Sequence, residues 1–150
     1  MKKRIINFDE TWLNESNFAR KVWKPKHHST STKLRAITPR LSLLGAIDTD
    51  GKCWFMLSHA TTDSRIIMLF FRHLVRQLDL ESPGWQEDSI ILLDNATYHT
   101  SAETRELFKK MALPVMFTAP YSYDAAPIEK LWSSLKLKEL NPEREPTGKR

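Results

Sequence analysis

Apolar residues along this chain come in two periods. Residues 3–8 (KRIINF), 41–48 (LSLLGAID), 52–58 (KCWFMLS), 89–94 (SIILLD) and 113–118 (LPVMFT) are short, dense runs. Their length and their branched and aromatic side chains predict strands. The second and third runs are joined by "TDG", and an Asp-Gly pair between apolar runs predicts a hairpin.

Three other stretches carry the helical period. In "TTDSRIIMLFFRHLVRQLDLE", Ile67, Phe70, Phe71, Leu74, Val75 and Leu78 recur at i, i+3, i+4 and i+7. That spacing predicts an amphipathic helix, capped by Asp63 and closed before "SPG" at 82–84. A second helix is expected from Thr100, where Thr100 and Glu103 have capping-box spacing. A third follows "APYSYDAAP". Asp124 is placed to cap it, Pro127 falls in its first turn, and Ile128, Leu131, Trp132 and Leu135 form its buried stripe.

The predicted order is β-β-β-α-β-α-β-α. Strands joined by short turns make an antiparallel meander, and the strand–helix–strand units after it make parallel neighbours with right-handed crossovers. The fold class is therefore α/β: one mixed sheet with helices on both faces. A single domain is expected over residues 1–140, with residues 10–40 as a polar, basic loop or irregular hairpin containing "KPKHHSTSTK". The tail at 141–150, NPEREPTGKR, reads as disordered.

Composition narrows the function. No apolar run reaches the ~18 residues of a membrane span, and no 7–15-residue apolar segment follows the basic start, so neither a membrane nor a secreted protein is expected. The single Cys53 fits a reducing compartment. Net charge is +5 and uneven. Residues 1–40 hold ten Lys/Arg against three Asp/Glu (10 − 3 = +7), and residues 41–150 hold thirteen against fifteen (13 − 15 = −2). A basic N-terminal region beside a slightly acidic body points to an anionic partner, nucleic acid first, against a plain solvated lysine-rich surface. Arg20, Lys21, Lys24, Lys26, Lys33 and Arg35 are the candidates to hold phosphates without reading sequence. His27 and His28 are adjacent and, with His59 and His73, lack zinc-ligand spacing.

The sharpest feature is "SIILLDNATYHTS", where the most hydrophobic strand ends on Asp94. In open α/β sheets, functional groups sit at the carboxyl ends of strands. Asp9 is expected to end the first strand and Asp94 the fourth, which the crossover sets beside it. Glu129 lies about 100° around the last helix from Ile128, on the flank of its buried stripe. Three acids from distant parts of the chain are thus expected to converge, and a divalent cation would offset the cost of clustering like charges.

"FDETWL" (8–13), "LLDNATYH" (92–99) and "APYSYDAAPIEKLWSSLK" (119–136) closely resemble the three signature blocks of DDE transposases of the mariner-like superfamily, which includes related bacterial insertion-sequence enzymes. Between Asp94 and Glu129 lie 34 residues (129 − 94 − 1), the spacing of one large branch of that family. Tyr123, Ala125 and Ala126 depart from its usual Pro and Leu-Asn, which changes the turn and not the acid. The resemblance covers roughly residues 5–138. It implies an RNase H-like fold, with Asp9, Asp94 and Glu129 as catalytic metal ligands for two Mg²⁺ or Mn²⁺ ions about 3.5–4 Å apart. It implies DNA cleavage and strand transfer, with transposon ends and target DNA as partners and a homodimer as a candidate assembly. Asn95 and His99 match its D-N-x-x-x-H pattern, as candidates to orient a ligand or contact DNA, beside a plain helix-start hydrogen bond for His99. Glu10 follows the first Asp in many relatives and is given no catalytic role. Trp132 is read as core. Relatives carry an N-terminal helix-turn-helix domain and this chain opens almost directly on its first strand, so a truncated or split protein is expected. Location would be the nucleus in a eukaryote, or the cytoplasm and nucleoid in a bacterium. Two rival functions are a plain RNase H-like nuclease that never joins strands and a non-catalytic or domesticated nucleic-acid-binding remnant.

Overall fold

The computed structural model describes residues 3–13, 41–59, 61–119 and 126–139. Five strands form one sheet: β1 (Arg4–Leu13), β2 (Leu41–Asp48), β3 (Cys53–Ser58), β4 (Ser89–Leu93) and β5 (Val115–Phe117), in the spatial order β3-β2-β1-β4-β5. β1, β2 and β3 are antiparallel neighbours; β4 and β5 run parallel to β1. The helices are α1 (Ser64–Glu81), α2 (Ala102–Lys110) and α3 (Pro127–Ser134), which continues as a π-turn over Leu135–Glu139. No helix among the described residues is long and apolar enough to cross a membrane.

Element order and fold class agree with the sequence. α1 buries the six residues its period selects, and Asp63 caps it by accepting the Ile66 N–H at 3.0 Å. The larger core lies between the sheet and α1 and α2. There Phe8 packs against Phe70 and Phe71, each at a centroid distance of 4.8 Å, and Phe71 against Phe108 at 4.8 Å. A smaller core on the opposite face packs Leu43 under Ile128 and Trp132 of α3, with Leu131 and Leu135 only partly buried beside it. Helices thus cover both faces.

Four details differ from expectation. β1 does not end at Asp9 but runs to Leu13, because β2 offers it partners from Asp48 back to Leu41. Residues 10–13 are therefore strand and not loop; the basic candidates from Arg20 to Arg35 lie outside the described residues, as does the tail from 141 to 150. The cap of α2 is Ser101, whose Oγ accepts the Thr104 N–H at 3.2 Å, while the Thr100 hydroxyl turns back to the Ala96 carbonyl. A short 3-10 turn at Trp85–Glu87 precedes β4 and buries Trp85, whose indole N–H donates to Asp79 at 2.9 Å. The cap position of α3 is Ala126, with no side-chain cap of its own, and Asp124 lies outside the described residues. Instead Asn7 of β1 reaches across and accepts the Ile128 N–H at 3.1 Å.

Candidate active site

Side chains alternate along a strand, so β1 presents two different sets. Asn7, Asp9 and Thr11 face α3. Each meets a residue four further along the helical segment than the last. Ile128 N–H donates to Asn7, Trp132 Nε1–H donates to Asp9 Oδ2 at 2.9 Å, and Lys136 Nζ donates to Thr11 at 2.5 Å. Two residues of strand advance about 6.6 Å and four of helix about 6 Å, so the two periods stay in step along the whole contact. Gly45 of β2, the Cα partner of Asp9, permits this. A Cβ there would stand 2.5 Å from Trp132 Cη2.

The parallel register places Asp9 and Asp94 at one level. β1 and β4 pair with a constant offset, Arg4 with Ser89 through Asn7 with Leu92. Extending that offset (89 − 4 = 85) sets Asp9 level with Asp94 (9 + 85), just past the last residue of β4. Adjacent strands lie about 4.8 Å apart. Although Asp9 is not at the end of its own strand, it lies two residues past Asn7, the last β1 residue paired with β4.

Burial, the neighbouring Glu10 and Glu129 together push the Asp9 carboxyl up from 3.8 to about 7, against the Trp132 hydrogen bond that lowers it. Glu129 itself is exposed on the first turn of α3. Burial lowers the Lys136 ammonium, while Glu129 and Asp9 favour its charged form.

The other face of β1 holds a second acidic constellation. Glu10 points away from Asp9 and accepts from the Tyr98 hydroxyl on Oε1; His99 Nε2 stands 3.2 Å from Oε2. His99 Nδ1 stands 2.5 Å from Asp94 Oδ1, which also accepts the Ala96 N–H at 3.0 Å. Burial works against the charged form of His99, but the hydrogen bonds and charges of Asp94 and Glu10 raise its pKa from 6.5 to about 9. The ring is therefore an imidazolium at neutral pH, donating from both nitrogens. Asp94 is lowered, first by the bond from His99.

His99 thus bonds two carboxylates with its side chain, and not the start of α2. Asn95 is turned to the residue just past β5, where its amide donates to the Thr118 carbonyl at 2.6 Å. As the side chains stand, the described residues contain no group of three or more His, Cys, Asp or Glu disposed to hold a metal ion. Sequence reasoning missed Glu10, Tyr98, Lys136 and the Trp132 N–H. For Glu10 a signal existed. It shares β1 parity with Ile6 and Phe8, and an acid on the core-facing side of a strand needs a partner.

The strand order, the crossovers and the acids at the junction of β1, β4 and α3 define an RNase H-like domain. The chain belongs to the DDE superfamily endonuclease family, whose model matches residues 4–148. Its fold is similar to the catalytic domain of Mos1 mariner transposase, at 23% identity and a TM-score of 0.65, covering 95% of this chain and 62% of that one. It is also similar to the Mos1 mariner paired end complex with Mn (21% identity, TM-score 0.68, 92% and 44% covered). A chain of the simian T-cell lymphotropic virus intasome in complex with PP2A regulatory subunit B56 gamma shares the fold at 17% identity (TM-score 0.62, 88% and 38% covered). The chain spans 41% of the matched chain in the Mos1 transposase paired-end complex with left transposon end. No curated protein matches significantly.

Proposed function

We propose that this chain is the catalytic domain of a DNA transposase, cutting DNA and joining the cut end to a target with Mg²⁺ or Mn²⁺ held by Asp9, Asp94 and Glu129. One observation carries the reading. Asp9 is level with Asp94 in the β1–β4 register, and burial with two acidic neighbours raises its carboxyl to about 7. Such a site gathers acids, and a divalent cation would return Asp9 to its ionised form. The donor set fits Mg²⁺ or Mn²⁺, since all of it is carboxylate oxygen. Asp94 keeps its fit because both of its hydrogen bonds among the described residues fall on Oδ1.

Bound cations would supply Lewis-acid polarisation of the scissile phosphate and an activated nucleophile. The chain's own residues prepare the place. Trp132 fixes one oxygen of Asp9, the Asn7 cap fixes the first turn of α3 that carries Glu129, and Lys136 supplies positive charge beside both acids. Arg20, Lys21, Lys24, Lys26, Lys33 and Arg35 would hold DNA phosphates, with binding that weakens steeply as salt rises.

The test is cleavage and strand transfer on DNA carrying candidate ends, with Mg²⁺ or Mn²⁺ and with chelator. Wild type should cut only with metal. Asp94→Asn should lower the rate at least about a thousandfold, because several kcal/mol of transition-state stabilisation leave with the metal. Cleavage that persists in Asp94→Asn would overturn the assignment. Metal binding without cutting would favour a non-catalytic remnant.

A further inference from the structure

We propose that Glu10 is a positioning residue: acting through the His99 ring, it fixes the carboxylate of Asp94. The consequence for metal binding rests on the reading of Asp94 as a ligand, but the geometry stands without it.

Glu10 is not itself placed among the acids on the α3 face. Strand alternation turns it to the opposite side of β1 from Asp9. Both of its oxygens are engaged, one by the Tyr98 hydroxyl and one by His99, and its side chain is only 7% exposed. The His99 ring is wholly buried. It stands edge-on to Phe8 at 5.4 Å and to Tyr98 at 4.8 Å. Packed on two sides and tied at Nε2, the ring aims Nδ1 at Asp94.

Asp94 is the residue that needs such help. It is the first position past β4, so the sheet ladder no longer holds its backbone, and its side chain is 45% exposed. A carboxylate there would otherwise visit several rotamers. The relay holds Oδ1 and turns Oδ2 outward from the bonded side. A carboxylate anchor suits the far end of the ring because it can only accept, so the ring nitrogen facing it has a fixed role as donor. Residues that orient a ligand from behind typically change metal affinity 10–100-fold when removed.

The experiment uses the full chain with Asp94 and His99 labelled for NMR, and Mn²⁺ titrated by calorimetry. In metal-free protein, Glu10→Ala should shift the Asp94 carboxyl carbon, and Glu10→Gln, which keeps an acceptor for the ring, should largely restore it. Mn²⁺ affinity should fall about tenfold or more in Glu10→Ala and recover in Glu10→Gln. In a His99→Ala background, Glu10→Ala should change the affinity no further, since a residue acting only through another is fully non-additive with it. An Asp94 carbon that stays put in Glu10→Ala, or an equal loss of affinity in both backgrounds, would overturn the proposal. If wild type takes up no Mn²⁺, the metal reading fails while the Asp94 carbon still decides the relay. If Glu10→Ala does not fold, Tyr98→Phe loosens Glu10 without removing its charge. The Asp94 carbon must then move in the same direction, and no movement sinks the idea.

Discussion

Asp9 and Glu10 are adjacent in the chain and live in opposite environments. Asp9 faces α3, where it meets one indole N–H and the field of a second acid, Glu129. Glu10 faces α1 and α2, where a phenol and a buried imidazolium satisfy it. The results diverge accordingly. On the His99 side Asp94 is held below its ordinary pKa; on the α3 side Asp9 is pushed up to about 7. The fold neutralises one face of β1 with its own residues and leaves the other under-compensated. A cation from solution would stabilise the second kind of site more than the first.

The largest effect expected from breaking this contrast is His99→Ala. It removes the positive charge shared by Glu10 and Asp94 and leaves Glu10 in a side-chain environment only 7% exposed. Breaking a buried pair typically costs about 3–5 kcal/mol. The lower end applies, because Asp94 is half exposed and can turn to water. The urea midpoint should fall by a corresponding amount. A loss under about 1 kcal/mol, the scale of a surface ion pair, would mean that the His99 side is not the neutralised one.

The second effect separates the two faces by pH in metal-free buffer. Asp9 has a folded pKa near 7 against an ordinary 3.8. Between those values the folded chain binds the extra proton, so stability falls as pH rises from about 4 to 7. His99 has a folded pKa near 9 against 6.5. Its contribution is fully present below about 6.5 and is lost as pH rises through 9. Asp94, lowered, contributes above its ordinary 3.8 and loses that contribution as pH falls through its folded value. Unfolding free energy should therefore decline by a few kcal/mol from about pH 5 to 9, in two stages. Asp9→Asn should erase the first stage alone, and saturating Mn²⁺ should flatten it. A curve that Asp9→Asn leaves unchanged would show that the strain lies elsewhere.

What could be read from the sequence follows the same division. The periods of α1, the Asp-Gly hairpin and the strand order were readable because local pattern decides them. The three sequence blocks carry the candidate acids, and the β1–β4 register, extended by two residues, sets Asp9 level with Asp94. The far end of β1 was not readable, because its extension to Leu13 depends on pairing with β2, a partner distant in sequence. Nor was the cap of α3, which comes from Asn7 across the sheet. The ladder from Asn7, Asp9 and Thr11 to Ile128, Trp132 and Lys136 exists only once helix and strand lie side by side.

That ladder gives the third prediction. Gly45→Ala puts a methyl 2.5 Å from Trp132 Cη2. Overpacking of this kind costs about 1–3 kcal/mol. The indole should move away from β2 and loosen its bond to Asp9, so its fluorescence should change along with the midpoint. Glu10 and His99 lie on the other side of β1, and the Asp94 carboxyl carbon, which His99 holds, should stay where it is in metal-free protein. Movement there would show that the two faces are coupled through the strand.

The smallest effect tests how the His99 side is held from below. The turn that carries Tyr98 and His99 runs directly into α2, whose N-cap is Ser101. The Ser101 hydroxyl accepts the Thr104 N–H, and the Thr104 hydroxyl donates to the Tyr98 carbonyl at 2.8 Å. Thr104 is fully buried, so this chain of bonds ties the helix start to the turn. Ser101→Ala should cost about 1 kcal/mol, the usual value of a cap. Thr100→Ala should cost less than about 0.5 kcal/mol, as an ordinary surface change does, because among the described residues the Thr100 hydroxyl bonds only back to the Ala96 and Thr97 carbonyls. Equal costs would return the cap to Thr100. Amide exchange gives a finer reading. In Ser101→Ala the amides of the first turn of α2 and of His99 should exchange faster together, while those of α3 should not change.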